Sequence, residues 1–182
     1  VAFARQGFST VGYDVDSDRV ASLKRGVDPT GEVSSESLKG SGLRCTEDPE
    51  ELRGSTMFVV TVPTPVDENR QPDLTALLAA SETIGALLSP GAVVVYESTV
   101  YPGVTEEVCG PVLTRASGLT QGQDFKLAYS PERINPGDEA HSFDKVVKVV
   151  GAEDAETLER VAVVYESVVT AGIHRCPSIR VA

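Results

Sequence analysis

The chain has 182 residues, 41% of them hydrophobic, and a formal net charge of -11. That length suits one sizeable core and is too short for two domains of ordinary size, and the charge argues against nucleic-acid or anionic-membrane partners, which the mean field repels. A local basic pocket for a phosphate is still compatible with it. No apolar run approaches the roughly 20 residues of a membrane helix, and no charged-then-apolar leader opens the chain.

Val1 stands where a Met is usual, and the first seven residues read as the last turns of a helix closed by Gly7. Residues 9–14 have the character of a short strand ending in an acid, and residues 18–25 that of a helix stopped by Gly26. Residues 28–42 read as loop, 43–46 as a short strand, and 49–53 as a brief helix opened by Pro49. The continuous apolar run at 57–62 suits a strand covered on both faces. A proline-rich loop at 63–72, a helix at 73–88 and a buried strand at 92–96 follow. The second half repeats the theme: helix 104–116, strand 125–129, loop 130–144, strand 146–150, helix 152–165, strand 168–173. Strands alternating with helices of this length predict an α/β fold, a doubly wound, mainly parallel sheet. Residues 178–182, after Pro177, read as the first turn of a further helix. Both ends therefore read as cuts through a longer chain.

In such a sheet the ligand lies outside the carboxyl ends of the strands. Asp14 closes the first strand, where a carboxylate accepts both hydroxyls of an adenosine ribose and repels a 2′-phosphate; this predicts NAD as cofactor. A glycine loop immediately before Val1 would put Asp14 about 20 residues after it, the spacing the dinucleotide fingerprint requires. The bland alternative is a surface Asp at a strand end. Thr61-Val-Pro-Thr-Pro65 offers hydroxyls and amides on a stiff backbone to a phosphate or ribose. Tyr96-Glu-Ser-Thr-Val-Tyr-Pro-Gly103 presents a carboxylate and two hydroxyls at the expected nicotinamide end. Ser130-Pro-Glu-Arg-Ile-Asn-Pro-Gly-Asp138 adds an acid, a guanidinium and an amide. A carboxylate beside an apolar nicotinamide can act as a base or position a water; Glu132 and Arg133 as a surface ion pair is the competing reading.

Together these segments resemble the UDP-sugar 6-dehydrogenase family, most closely its UDP-N-acetylhexosamine branch, over nearly the whole chain. The two long motifs at 97–107 and 130–138 carry the resemblance, supported by Tyr13-Asp14, Val62-Pro-Thr-Pro65 and Pro72-Asp-Leu74. It implies a Rossmann-like NAD-binding domain over residues 1–177, lacking its first strand and glycine loop, with residues 178–182 beginning the central linking helix. The substrate, dimerisation and C-terminal domains would lie outside the sequence. The implied reaction oxidises a sugar C6 alcohol to a carboxylate with two NAD in turn, through a cysteine-bound thiohemiacetal and thioester; sulfur addition recreates the sp3 carbon from which hydride leaves. The implied setting is nucleotide-sugar supply for surface polysaccharide.

Residue by residue, the resemblance gives Asp14 and Arg19 to the adenosine ribose, and Val62, Pro63 and Thr64 to the pyrophosphate and nicotinamide ribose. Ser98 and Thr99 also fall to the cofactor. Thr99 would position a water or substrate hydroxyl, and Glu132 would assist the water that hydrolyses the thioester. Glu132, Arg133 and Asn135 would face the sugar. The glucose-specific branch has a second acid where this chain has Pro136, so that role does not transfer. The family's catalytic Lys, Asn and Cys lie beyond Ala182, so this piece alone is expected to be inactive. A homodimer is a further implication.

The three cysteines, Cys45, Cys109 and Cys176, form no C-x-x-C pair, and an odd number cannot all pair within one chain. They read as structural thiols in a reducing, cytoplasmic compartment. His141 and His174 have no metal-ligand spacing, so no metal is expected. Another dehydrogenase of this fold, of the 6-phosphogluconate or hydroxyacyl type, lacks the 130–138 loop. A short-chain epimerase needs Tyr-x-x-x-Lys and a phosphate-loop NTPase needs Gly-Lys, and neither occurs. A non-catalytic NAD-binding module is the alternative from another class.

Overall fold

The computed structural model describes residues 1–66, 68, 70–132 and 145–182. They divide into two compact units, residues 1–53 and residues 54–132 with 145–182. Arg133, Asn135, Pro136 and His141 lie outside the described residues.

The first unit opens with α1 (Ala2–Arg5) and β1 (Val11–Tyr13). Helix α2 (Ser17–Lys24) starts where Asp16 accepts the backbone N–H groups of Asp18 and Arg19, each at 3.0 Å; this satisfies two of the four orphan donors at a helix start. Helix α3 (Ser35–Lys39) lies where a loop was expected: Ser34 caps it on Ser37 N–H, and Leu38 is its one buried residue. Strand β2 (Arg44–Thr46) pairs in parallel with β1, Val11 opposite Arg44 and Tyr13 opposite Thr46. A 3-10 turn, Pro49–Leu52, follows.

The second unit holds β3 (Met57–Val60), α4 (Thr75–Gly85), β4 (Ala92–Tyr96), α5 (Gly110–Ser117), β5 (Phe125–Tyr129), β6 (Lys148–Ala152), α6 (Ala155–Glu166) and β7 (Ile173–Arg175). Its sheet runs β3-β4-β5-β6-β7. All neighbours are parallel except β5 and β6, which are antiparallel. The fold is thus the expected Rossmann-like α/β sheet, mainly parallel in its pairings, with the last two strands, β6 and β7, reversed relative to the first three. β4 and β5 coincide with the runs read from sequence. β6 starts two residues later than expected and β7 five.

The apolar runs form the core. Val94, Val95, Leu127 and Val150 are fully buried, with Leu77, Leu113, Tyr96 and Tyr165 beside them. Helices α4 and α5 touch so closely that a Cβ on Gly85 would lie 2.6 Å from that of Ala116, which only glycine permits. A π-helical stretch, Val104–Cys109, precedes α5 and is launched by Gly103 at φ +100°. The expected single helix here is therefore two windings, and such insertions are frequent next to functional sites. At the far end Ser178 accepts the N–H groups of Val181 and Ala182 in a turn; no helix is formed there among the described residues.

Candidate functional site

Because β3, β4 and β5 are parallel neighbours, the chain leaves all three at the same edge of the sheet. Pairing runs one step beyond the strands, with Glu97 N–H on Val60 O and Ser130 N–H on Tyr96 O, both 2.9 Å. Past that point the loops are joined by side chains. Ser98 Oγ donates to Val62 O and Thr64 Oγ1 donates to Thr99 O, each at 2.6 Å, across 36 and 35 residues of sequence. Ser130 Oγ donates to Val149 O at 2.7 Å, tying the third loop to β6.

These bonds enclose a cleft of about 190 Å³ lined by Thr61, Val62, Pro63, Thr64, Glu97, Ser98, Thr99 and Glu132. Six residues chosen from sequence, Val62, Pro63, Thr64, Ser98, Thr99 and Glu132, therefore meet in one place. A larger cavity of about 220 Å³, lined by Val100 to Gly103, Tyr129 and Ile179 to Ala182 among others, contains none of the chosen residues. Its one charged side chain, Arg180, is already paired with Glu107. The smaller cleft at the strand ends is the better candidate, because the sheet topology dictates it.

Sequence reasoning placed the Glu97 carboxylate at this edge but passed over its partners. Glu97 Oε1 receives Lys148 Nζ at 2.7 Å and the Tyr165 hydroxyl at 2.6 Å. The Glu97 and Lys148 side chains are only 11% and 5% exposed, and Lys148 Nζ sits 5.2 Å from the Tyr165 ring centroid. Burial, with the negative charge of Glu97 and then of Glu132, pushes the Tyr165 phenol well above its ordinary range and keeps it a donor. The available signal was Lys148 itself: a lysine inside the run Val146-Val-Lys-Val-Val150 is rarely buried without a partner.

In the first unit, Asp14 stands just past β1, with Oδ1 accepting Asp16 N–H at 3.0 Å and Oδ2 lying 3.5 Å from Arg19 Nε. The two are 33% and 47% exposed, so the carboxylate is open to a ligand. The thiols are less promising. Cys109 and Cys176 are buried, Cys45 half-buried, and burial raises all three above their ordinary value, which disfavours the reactive thiolate. None lines the cleft. His174 is exposed on β7, and no metal-binding cluster of His, Cys, Asp and Glu occurs among the described residues.

Fold and cleft define a nucleotide-binding α/β domain of the dehydrogenase type. The chain belongs to the UDP-glucose/GDP-mannose dehydrogenase family, whose NAD binding domain it matches over residues 1–169. It is 50% identical over 172 residues to protein CapL of Staphylococcus aureus, covering 94% of this chain and 41% of that protein. It is 49% identical over 175 residues to the UDP-N-acetyl-D-glucosamine 6-dehydrogenase of Pseudomonas aeruginosa, covering 96% and 42%. The chain thus spans about two fifths of the length of these relatives. Among solved structures, the UDP-D-ManNAc dehydrogenase of Pyrococcus horikoshii superposes with a TM-score of 0.88 at 30% identity, over 98% of this chain and 43% of that one.

The groups present fit NAD. Asp14 offers two oxygens at a strand end for a ribose diol, with a guanidinium beside it, and the cleft offers hydroxyls and carbonyls at a scale that suits one ribose or nicotinamide. No helix among the described residues is long and apolar enough to cross a membrane.

Proposed function

We propose that this chain is the cofactor-binding part of an NAD-dependent dehydrogenase that oxidises the C6 alcohol of a UDP-N-acetylhexosamine to the uronic acid, supplying surface polysaccharide. The observation that carries the reading is the convergence of three strand-end loops on one cleft holding both Thr99 and Glu132. The 49% identity to a UDP-N-acetyl-D-glucosamine 6-dehydrogenase supports the substrate class.

In this reading Asp14 and Arg19 hold the adenosine ribose, while Val62, Pro63, Thr64 and Ser98 line the rest of the cofactor. When bound, NAD accepts hydride from the sugar carbon; the full change from alcohol to carboxylate is four electrons, with one oxygen supplied by water. Thr99, whose carbonyl is fixed by Thr64, orients the reacting hydroxyl or water, and Glu132 takes the water proton. The family resemblance also assigns Arg133 and Asn135 to the sugar. The thiol and lysine come from elsewhere in the protein, in keeping with the absence of Cys45, Cys109 and Cys176 from the cleft lining. Residues 1–177 form the NAD domain and residues 178–182 lead into a linking helix of a cytoplasmic homodimer. The piece by itself binds NAD without turnover.

The test is NADH formation by the whole protein with a panel of UDP-sugars. Two NADH per UDP-N-acetylhexosamine is the expected result. A protein that binds NAD and turns over no UDP-sugar would move the assignment to another dehydrogenase of this fold.

A further inference from the structure

Two carboxylates line a cleft of only about 190 Å³, and they are not equivalent. Glu132 is exposed and follows β5, whereas Glu97 is almost enclosed and is met by a cation from β6 and a phenol from α6. An ionised carboxylate so far out of water persists only if it is paired and hydrogen-bonded. Both conditions are met at a single oxygen, Oε1. The ligand proposed for this cleft is itself a dianionic pyrophosphate ester, so an uncompensated second carboxylate would repel it.

We propose that Lys148 is a positioning residue for the cofactor: by neutralising Glu97 beneath the loop that carries Ser98 and Thr99, it removes one of the two negative charges from the cleft wall. Tyr165 completes the arrangement by holding the same oxygen from the helix side. The inference rests on the cleft being the NAD site. Among the described residues packed around Glu97, β6 presents Lys148, α6 presents Tyr165, and the segment after β5 presents Glu132. Thr61 to Thr64 and Ser98 to Thr99 bring no ionisable side chain.

The sign of the effect follows from the charges. Without Lys148, Glu97 is a buried carboxylate facing another acid, so it is ionised only at higher pH. There its charge opposes an anionic ligand; at lower pH it takes a proton and the opposition ends. NADH fluorescence titration of the whole protein reads this without any turnover. Lys148→Met is expected to bind NADH about tenfold more weakly than wild type at pH 8, the size of a like-charge contact at partly screened distance. The deficit should shrink as the pH is lowered to 6. The double variant Glu97→Gln/Lys148→Met, with neither charge, should lose that pH dependence and regain most of the affinity.

A deficit in Lys148→Met that is the same at both pH values, or no deficit at all in a folded protein, overturns the proposal, because a purely structural role moves stability and not the pH profile. Should Lys148→Met not fold, Glu97→Gln decides. It removes one of the two carboxylates of the cleft while Lys148 stays in place, and should bind NADH more tightly than wild type at low ionic strength; equal or weaker binding overturns the assignment. Failure of the wild type to bind NADH would instead remove the reading of the cleft as a cofactor site.

Discussion

Asp14 with Arg19, and Glu97 with Lys148, are both acid and base paired just past the carboxyl end of a parallel strand, yet they differ in kind. The first pair is 3.5 Å apart and a third to a half exposed; the second is 2.7 Å apart and nearly enclosed. Water screens the first, so its Coulomb energy contributes at most about 1 kcal/mol to the fold, and the Asp14 carboxylate is free to exchange its partner for a ligand. The second cannot exchange anything. Removing one member strands the other in a buried place, so Glu97 belongs to the frame of the cleft, whereas Glu132, the acid proposed to act on water, is exposed on the same wall.

The sharpest way to break this contrast is Lys148→Ala. It is expected to cost about 3 to 5 kcal/mol in urea unfolding, the penalty of stranding a buried carboxylate and emptying the space of a long side chain. Adding Glu97→Gln should recover much of the loss. A cost below about 1 kcal/mol would place the pair in the exposed class and end the distinction. Asp14→Ala should show the reverse pattern: NAD binding weakened by about 1 to 3 kcal/mol through lost charge-assisted hydrogen bonds, with unfolding changed by under about 1 kcal/mol. Isothermal titration beside urea unfolding separates the two. Unchanged NAD affinity would take Asp14 out of the site.

The same contrast explains which features were legible in the sequence. β4 and β5 are buried on both faces, so their apolar runs mark them to the residue, and the loops they feed could be chosen as site segments from topology alone. Position along the strand edge is a local property; partnership is not. Lys148 lies within the strand read at 146–150, and nothing beside it in sequence reveals its role, because its partner Glu97 follows β4 and the phenol on the same oxygen comes from α6. Val168 and Val169 misled in the opposite direction. They are buried and β-branched, but their N–H groups both bond Tyr165 O in the turn that closes α6, so the strand starts only at Ile173. Helix α3 was hidden by its polarity, being held by the Ser34 cap and one buried leucine.

A third pair, Lys126 with Asp154, tests the exposed end of the scale with the smallest effect. Lys126 Nζ lies 2.8 Å from Asp154 Oδ2, and the side chains are 31% and 39% exposed. Asp154 also caps α6, its Oδ1 accepting Thr157 N–H at 2.8 Å. The ammonium of Lys126 and then the hydrogen bonds from Thr157 hold the carboxyl down at about 2, against an ordinary value of 3.8. A carboxyl lowered on folding adds stability that is present in full above its unfolded value and is lost as pH falls through its folded one. The window here is therefore pH 4 to pH 2. Solvent screening discounts the contribution of so exposed a group to about 1 kcal/mol. Asp154→Asn keeps an acceptor for Thr157 and removes the charge, so the gap in unfolding free energy between wild type and variant should be present at pH 7 and close by pH 2. Asp154→Ala loses the cap as well, at about 1 kcal/mol, and that part should persist at pH 2. If the Asn gap does not close with acid, the ion pair adds nothing and the cap alone anchors the start of α6, the helix that carries Tyr165 to Glu97.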